Sequence, residues 1–276
     1  VTDKSSGQAW EQAVQWLRSQ LDQQRPVLDC YYVDPLKKAT DRYYNSEEWT
    51  SVRSHLPNGR GRALDVGAGR GIASYALARK GFAVKALEPD PSAIVGAEAI
   101  RSLAKEASLE ISVTEEFSER LSCPDNHFDI VFARAVLHHT SDLAAACRGF
   151  YRVLKPGGRL IAAREHVLSG KSGLGTFLDL HPLHKLYGGE NAFLLEEYKS
   201  AGFTLKNSIA SFHSAMNIAP RTLDETREEI AGRFPVGRAI IRSLLKIPAV
   251  WDIATKLFRR LDNRPGRLYS FVADKV

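Results

Sequence analysis

The stretch Ala63 to Ala73, read as ALDVGAGRGIA, constrains the fold more than any other part of this 276-residue chain. Apolar residues lead into Asp65, glycines follow at 67, 69 and 71, and the helical pattern Ile72 to Lys80 begins at once. A strand, a tight turn and a helix N-terminus account for that order. Glycine tolerates the left-handed backbone a tight turn requires and lets a ligand approach bare amides, while the helix end adds partial positive charge. An anionic or polar ligand suits such a turn.

Two phosphate-binding motifs fit poorly. The dinucleotide fingerprint G-x-G-x-x-G would need a glycine where Ile72 stands, and a phosphate loop would end in G-K-S/T where the chain has Arg70-Gly71-Ile72. A second apolar run, Phe82 to Leu87, closes on Glu88-Pro-Asp-Pro91. A carboxylate about 20 residues past the first glycine, at a strand tip, is placed to accept hydrogen bonds from ribose hydroxyls.

Further motifs follow in register: Pro124 to Val131 (PDNHFDIV), Ala135 to His139 (AVLHH) and Arg152 to Leu160 (RVLKPGGRL). Over roughly Arg60 to Glu165 the chain resembles the class I S-adenosylmethionine-dependent methyltransferases, and within them the branch acting on small molecules and quinone-type precursors. That resemblance implies S-adenosylmethionine as cofactor and S-adenosylhomocysteine as product. It also implies a Rossmann-like, seven-stranded, mostly parallel sheet with helices on both faces and an antiparallel last strand.

Periodicity supports this α/β class. Strands are expected near Arg62–Val66, Phe82–Leu87, Leu109–Thr114, Phe128–Ala133 and Gly158–Arg164, with helices near Ile72–Lys80, Pro91–Ala107 and Asp142–Val153. Residues 1–58 are expected to form an N-terminal helical cap or lid, with one amphipathic helix from Gln8 to Leu21 and Ser46 as an N-cap. Residues 59–276 form the second unit, with an acceptor-side loop at 165–192 and a helical insertion at 220–263. Within that insertion Pro248 should break the helix, and RLYSFVADKV should close the sheet.

Composition narrows the setting. No run approaches 18 apolar residues, and the polar start offers no signal peptide, so neither a membrane span nor a leader is expected. Cys30, Cys123 and Cys147 show no paired or metal-ligand spacing, which favours reduced thiols and a cytoplasmic location. The net charge of +6 lies largely toward the C-terminus. Phe132-Ala-Arg-Ala135 stands where nucleic-acid methyltransferases carry their base-recognition or cysteine motifs, so nucleic acid is not the expected partner. Homodimerisation and peripheral membrane contact remain open, because the apolar faces of the insertion, with bases opposite, suit either.

Site residues follow from position. Asp65, Gly67, Ala68 and Gly69 are expected around the methionine end of the cofactor and Glu88 at the ribose. By alignment to the family, Phe117 and Ser118 fall at the adenine, and Arg134 and Tyr44 are further cofactor candidates. A hydroxyl acceptor must lose its proton, so strand-end His166, His139 and Glu165 are candidate catalytic groups. The segment HPLHKLYGGENAF supplies His181, His184, Tyr187, Glu190 and Asn191 as acceptor contacts, with a divalent metal as the less favoured reading. Together these residues imply methyl transfer to a small molecule at a hydroxyl oxygen. The alternatives are carbon methylation of a quinone-like or lipid-linked acceptor at a membrane surface, and cofactor binding without catalysis.

Overall fold

The structure is a computed structural model, and it describes residues 7–179, 191–201, 205–234 and 236–276. Its sheet runs β3-β2-β1-β4-β5-β8-β7, with β1 Arg62–Val66, β2 Ala83–Leu87, β3 Ile111–Thr114, β4 Phe128–Arg134, β5 Leu154–Leu168, β7 Leu205–Ile209 and β8 Arg267–Asp274. β8 is antiparallel to both neighbours, and β1, β2, β3, β4 and β5 are parallel. A two-residue strand, β6 Phe193–Leu194, pairs with the far end of β5 and makes the sheet eight-stranded rather than seven. The order reverses direction between β1 and β4. In open α/β sheets the crevice beyond the carboxyl ends of such strands is the ligand site.

Alternation along the strands divides the core. Leu64, Val66, Val131, Ala133, Leu160 and Ala162 face one layer, where α7 (Leu143–Val153) contributes Cys147 and Phe150. Ala63, Ile130, Phe132, Ile161 and Ala163 face the other, where α3 (Leu36–Tyr44), α4 (Glu47–Arg53) and α5 (Ile72–Lys80) add Tyr43, Trp49 and Leu77. Burying each large apolar side chain contributes roughly 1.5–3 kcal/mol. The polar groups at the site are therefore held on a scaffold that is apolar on both faces.

Local signals fix the helices around the site. Ser46 accepts the Trp49 amide at 3.0 Å as the N-cap of α4, and Asp142 accepts the Ala145 amide at 2.8 Å as that of α7. α6 spans only Ala97–Ala107, because Pro91 and the loop through Gly96 delay the start expected at Pro91. α1 (Gly7–Ser19) and α2 (Gln24–Asp29) lay Ala13, Val14, Leu17 and Val27 on Val95, beside the carboxyl end of β2. α8 (Leu174–Asp179) follows β5, and α9 (Leu195–Ser200) and α10 (Ala215–Ile218) flank β7.

The insertion before β8 folds as α11 (Leu223–Gly232), α12 (Arg238–Leu245) and α13 (Pro248–Leu261), with Pro248 at the first turn of α13. Proline lacks the amide donor that a first turn does not use, so the break falls there. No helix among the described residues is long and apolar enough to cross a membrane, and Cys30, Cys123 and Cys147 form no disulfide among the described residues.

Candidate active site

Gly67, Gly69 and Gly71 all adopt positive φ, at 59°, 53° and 81°. A Cβ on Gly67 would stand 2.1 Å from Val136 Cγ2, whereas one on Gly69 would meet nothing nearer than the Val95 carbonyl at 3.9 Å. The second glycine therefore leaves open space above its backbone. Its amide donates to Glu88 Oε2 at 2.6 Å, and the Asp90 amide donates to Glu88 Oε1 at 3.0 Å. Burial pushes the Glu88 carboxyl up to about 7, with those amides pulling it back.

Asp65 is fully buried and accepts Ser74 Oγ at 2.6 Å, so it ties β1 to the first turn of α5. Burial raises it to about 7 against the opposing pull of Ser74. Ala68 donates its amide to the Leu87 carbonyl at 3.1 Å. Asp90 is also buried, and its Oδ2 has no hydrogen-bond partner. Three features converge on this corner: an uncovered glycine backbone, a carboxylate with acceptor capacity to spare, and an orphaned acceptor oxygen. They fit the ribose and methionine portions of S-adenosylmethionine.

Arg70 locks the N-terminal segment to the glycine turn. Its Nη1 donates to the carbonyls of Tyr31 and Val33, each at 3.1 Å, and Nη2 pairs with Asp34.

Val136 links the glycine turn to a histidine cluster. Its side chain faces Gly67, and its amide donates to Glu165 Oε1 at 3.2 Å. Glu165 Oε2 accepts the His138 amide at 3.3 Å and lies 3.0 Å from His138 Nδ1. Burial pushes the Glu165 carboxyl up to about 8, opposed by the amides of Val136, His138 and Leu137. His138 meets His139 at 4.2 Å and His166 at 4.6 Å between ring centroids, and Trp10 reaches His139 at 6.4 Å. Buried Phe177 of α8 covers His166 at 4.9 Å.

His166 Nδ1 lies 2.8 Å from the Gly266 carbonyl. A carbonyl only accepts, so Nδ1 carries the proton and Nε2 carries the lone pair in the neutral ring. That is the tautomer a general base needs.

The other expected residues are placed as follows. Arg134 turns to α4, donating from Nε and Nη2 to Glu48 at 2.6 and 3.0 Å, with the rings of Tyr31 and Tyr43 alongside. Tyr44 is stacked on Trp49 at 6.2 Å and lies under Arg79 of the last turn of α5, at the end of that helix away from the glycine turn. Phe117 is 59% exposed, and Ser118 Oγ donates to Glu119. Asn191 donates its backbone amide to the His138 carbonyl and Nδ2 to the Thr140 carbonyl, so it clamps the histidine turn. His181, His184, Tyr187 and Glu190 lie outside the described residues.

Sequence reasoning did not single out Glu48, Arg70, Asp90, Arg164, Phe177 or Gly266 for the site. Arg164 sits in the irregularity where the β5–β8 register shifts between Ala162 and Glu165, and has φ 61°. A bulge re-aims a side chain, and here it sends the guanidinium to the carbonyls of Met216 at 3.2 Å and Ala219. Only Asp90, inside Glu-Pro-Asp, carries a readable signal, being a second acid beside Glu88.

Residues 64–162 match the methyltransferase domain family. Phosphoethanolamine N-methyltransferase 1 of Arabidopsis thaliana is 29% identical over 177 residues, covering 61% of this chain and 34% of that protein. A ubiquinone biosynthesis O-methyltransferase of Methylobacterium sp. (strain 4-46) is 34% identical over 100 residues, 36% of this chain and 39% of that protein. The chain thus spans about a third to two fifths of the length of these relatives. In fold, it is similar to geranyl diphosphate C-methyltransferase from Streptomyces coelicolor A3(2), with TM-score 0.57, 13% identity, and coverage of 83% and 75% of the two chains.

Proposed function

From the chain's membership of the class I S-adenosylmethionine-dependent methyltransferases, we propose that it methylates a hydroxyl oxygen of a small-molecule acceptor, with His166 as general base. The observation that carries this reading is the His166 Nδ1 contact to the Gly266 carbonyl at 2.8 Å, which presents Nε2 as a proton acceptor at the carboxyl edge of the sheet.

When bound, S-adenosylmethionine supplies an electrophilic methyl group. The chain's own residues do the rest. Gly69 gives the ligand a bare backbone to lie on, and Glu88 and Asp90 accept hydrogen bonds from its ribose hydroxyls. Glu165 fixes the 136–138 turn through two amides and so sets the position of His138 against His166. His166 takes the acceptor proton as the oxygen attacks. Phe177 and Trp10 close the histidine cluster from two sides and exclude water. In this reading residues 1–58 act as a cap, anchored to the glycine turn by Arg70 and to Val95 by α1.

Turnover of radiolabelled S-adenosylmethionine over a panel of phenols, catechols, alcohols and amino compounds tests the proposal. Hydroxyl acceptors should be methylated, and the reaction should depend on His166. Transfer to carbon with His166→Ala fully active would reject the base and favour carbon methylation. Tight cofactor binding with no turnover on any acceptor would favour a binding protein.

A further inference from the structure

Residues 236–267 hold eight lysines and arginines against two aspartates, a local charge of +6 that equals the net charge of the whole chain. The same segment forms α12 and α13, whose apolar residues are turned outward. Ile240, Leu244 and Ile247 recur at helical spacing, as do Ile253, Leu257 and Leu261, and all are between 46% and 68% exposed. Each helix buries little in return: Leu245 on α12 and Thr255 on α13 are its buried residues, with Trp251 under Arg227 and Phe258 against Phe212 holding α13 in place. Two rows of large aliphatic side chains in water are costly, and such a surface marks an interaction site.

Charge decides what covers it. A second copy of this chain related by a twofold axis would set one cationic patch against its duplicate, and like charges across an interface oppose association. An anionic bilayer meets both features at once: aliphatic side chains enter the acyl boundary while arginines and lysines rest among the headgroup phosphates. Lys246, Arg259 and Arg260 have no carboxylate partner among the described residues, so their charge is available.

We propose that the α12–α13 hairpin docks the protein on anionic phospholipid surfaces. This goes beyond the methyl-transfer reading and does not depend on it. Flotation is compared on vesicles of phosphatidylcholine alone and of phosphatidylcholine with about 30% phosphatidylglycerol, at low and high salt. The protein should float with the anionic vesicles at low salt and drop at least about tenfold on neutral vesicles or in high salt. Ile253→Ser/Leu257→Ser and Arg259→Glu/Arg260→Glu should each lose most of the binding, while S-adenosylmethionine affinity by calorimetry and melting temperature stay unchanged. The proposal is overturned if the wild-type protein does not float with anionic vesicles, or if both variants float like it. It is also overturned if sedimentation shows a dimer that Ile253→Ser/Leu257→Ser dissociates. Loss of cofactor binding in the wild-type protein would instead strike the methyl-transfer reading.

Discussion

The Glu165 carboxylate lies 3.0 Å from His138 Nδ1, with the amides of Val136 and His138 on its two oxygens. At 0% exposure its charged form is costly, and burial lifts the group to about 8. Glu88 and Asp65 are lifted to about 7 by the same cause. Each has a folded-state pKa above its unfolded value of about 4. The folded state therefore binds more protons, and its stability is fully present below the unfolded pKa and is lost as pH rises through the folded one. The melting temperature of the cofactor-free protein should fall from about pH 5 to pH 8. Glu165→Gln should flatten the upper part of that slope, and a melting temperature that rises over the window would contradict the burial argument.

For catalysis the decisive variant is His166→Ala. General-base removal should lower kcat by roughly 10²- to 10⁴-fold with cofactor affinity nearly intact. The acidic limb of the wild-type pH–rate profile should also disappear, a change that loss of packing alone would not produce. His138→Asn, which keeps a hydrogen-bonding group beside Glu165, should lower kcat less than His166→Ala. Equal losses in both variants would mean that the two rings act as one unit.

The two glycines of the turn should respond differently. Gly69→Val adds a side chain to a left-handed position at roughly 1–2 kcal/mol, in open space, so the protein should fold yet bind S-adenosylmethionine weakly. Gly67→Ala places Cβ into Val136, and through Val136 it disturbs the Glu165 turn. It should lower both stability and turnover, and Val136→Ala in the same chain should restore part of each. Calorimetry and thermal melts separate the cases, and identical behaviour of the two glycine variants would contradict the geometry.

What the sequence made legible was local. The glycine run, the alternating strands and the helix from Ile72 to Lys80 appear where the periodicity put them, because turn chemistry and apolar spacing are encoded residue by residue. Ser46 caps α4 as expected, yet its neighbour Glu48 pairs with Arg134, 86 positions away, and no short-range pattern encodes that contact. Tyr43 and Tyr44 are adjacent in sequence and both meet Trp49, yet Tyr43 lies beside Arg134 while Tyr44 lies under Arg79, a difference set by the helix phase. The small strand Phe193–Leu194 has no signal in the sequence, because two apolar residues carry no period. Its strand state comes from Val167 and Leu168 across the sheet.

The Arg134–Glu48 pair yields the last prediction. Glu48 is 1% exposed and Arg134 19%, and two charge-assisted bonds of 2.6 and 3.0 Å join them. Burial alone would pull the Arg134 guanidinium down, but Glu48 outweighs it and holds the pKa above the ordinary arginine value. Arg164, bonded to carbonyls nearby, is pulled down by burial and then by the charge of Arg134, with Glu48 opposing. One carboxylate thus faces two cations, and backbone carbonyls of Met216 and Ala219 take up the second. Glu48→Ala would leave Arg134 buried without a counter-charge, at a cost of about 3–5 kcal/mol in a denaturation midpoint analysis. Adding Arg134→Met should recover most of that loss, since removing both charges also removes the desolvation penalty. Because Glu48 already occupies Nε and Nη2 of Arg134, the double variant should change S-adenosylmethionine affinity less than Glu88→Ala does. A large affinity loss in the double variant would return Arg134 to the cofactor carboxylate and make Glu48 the group that positions it.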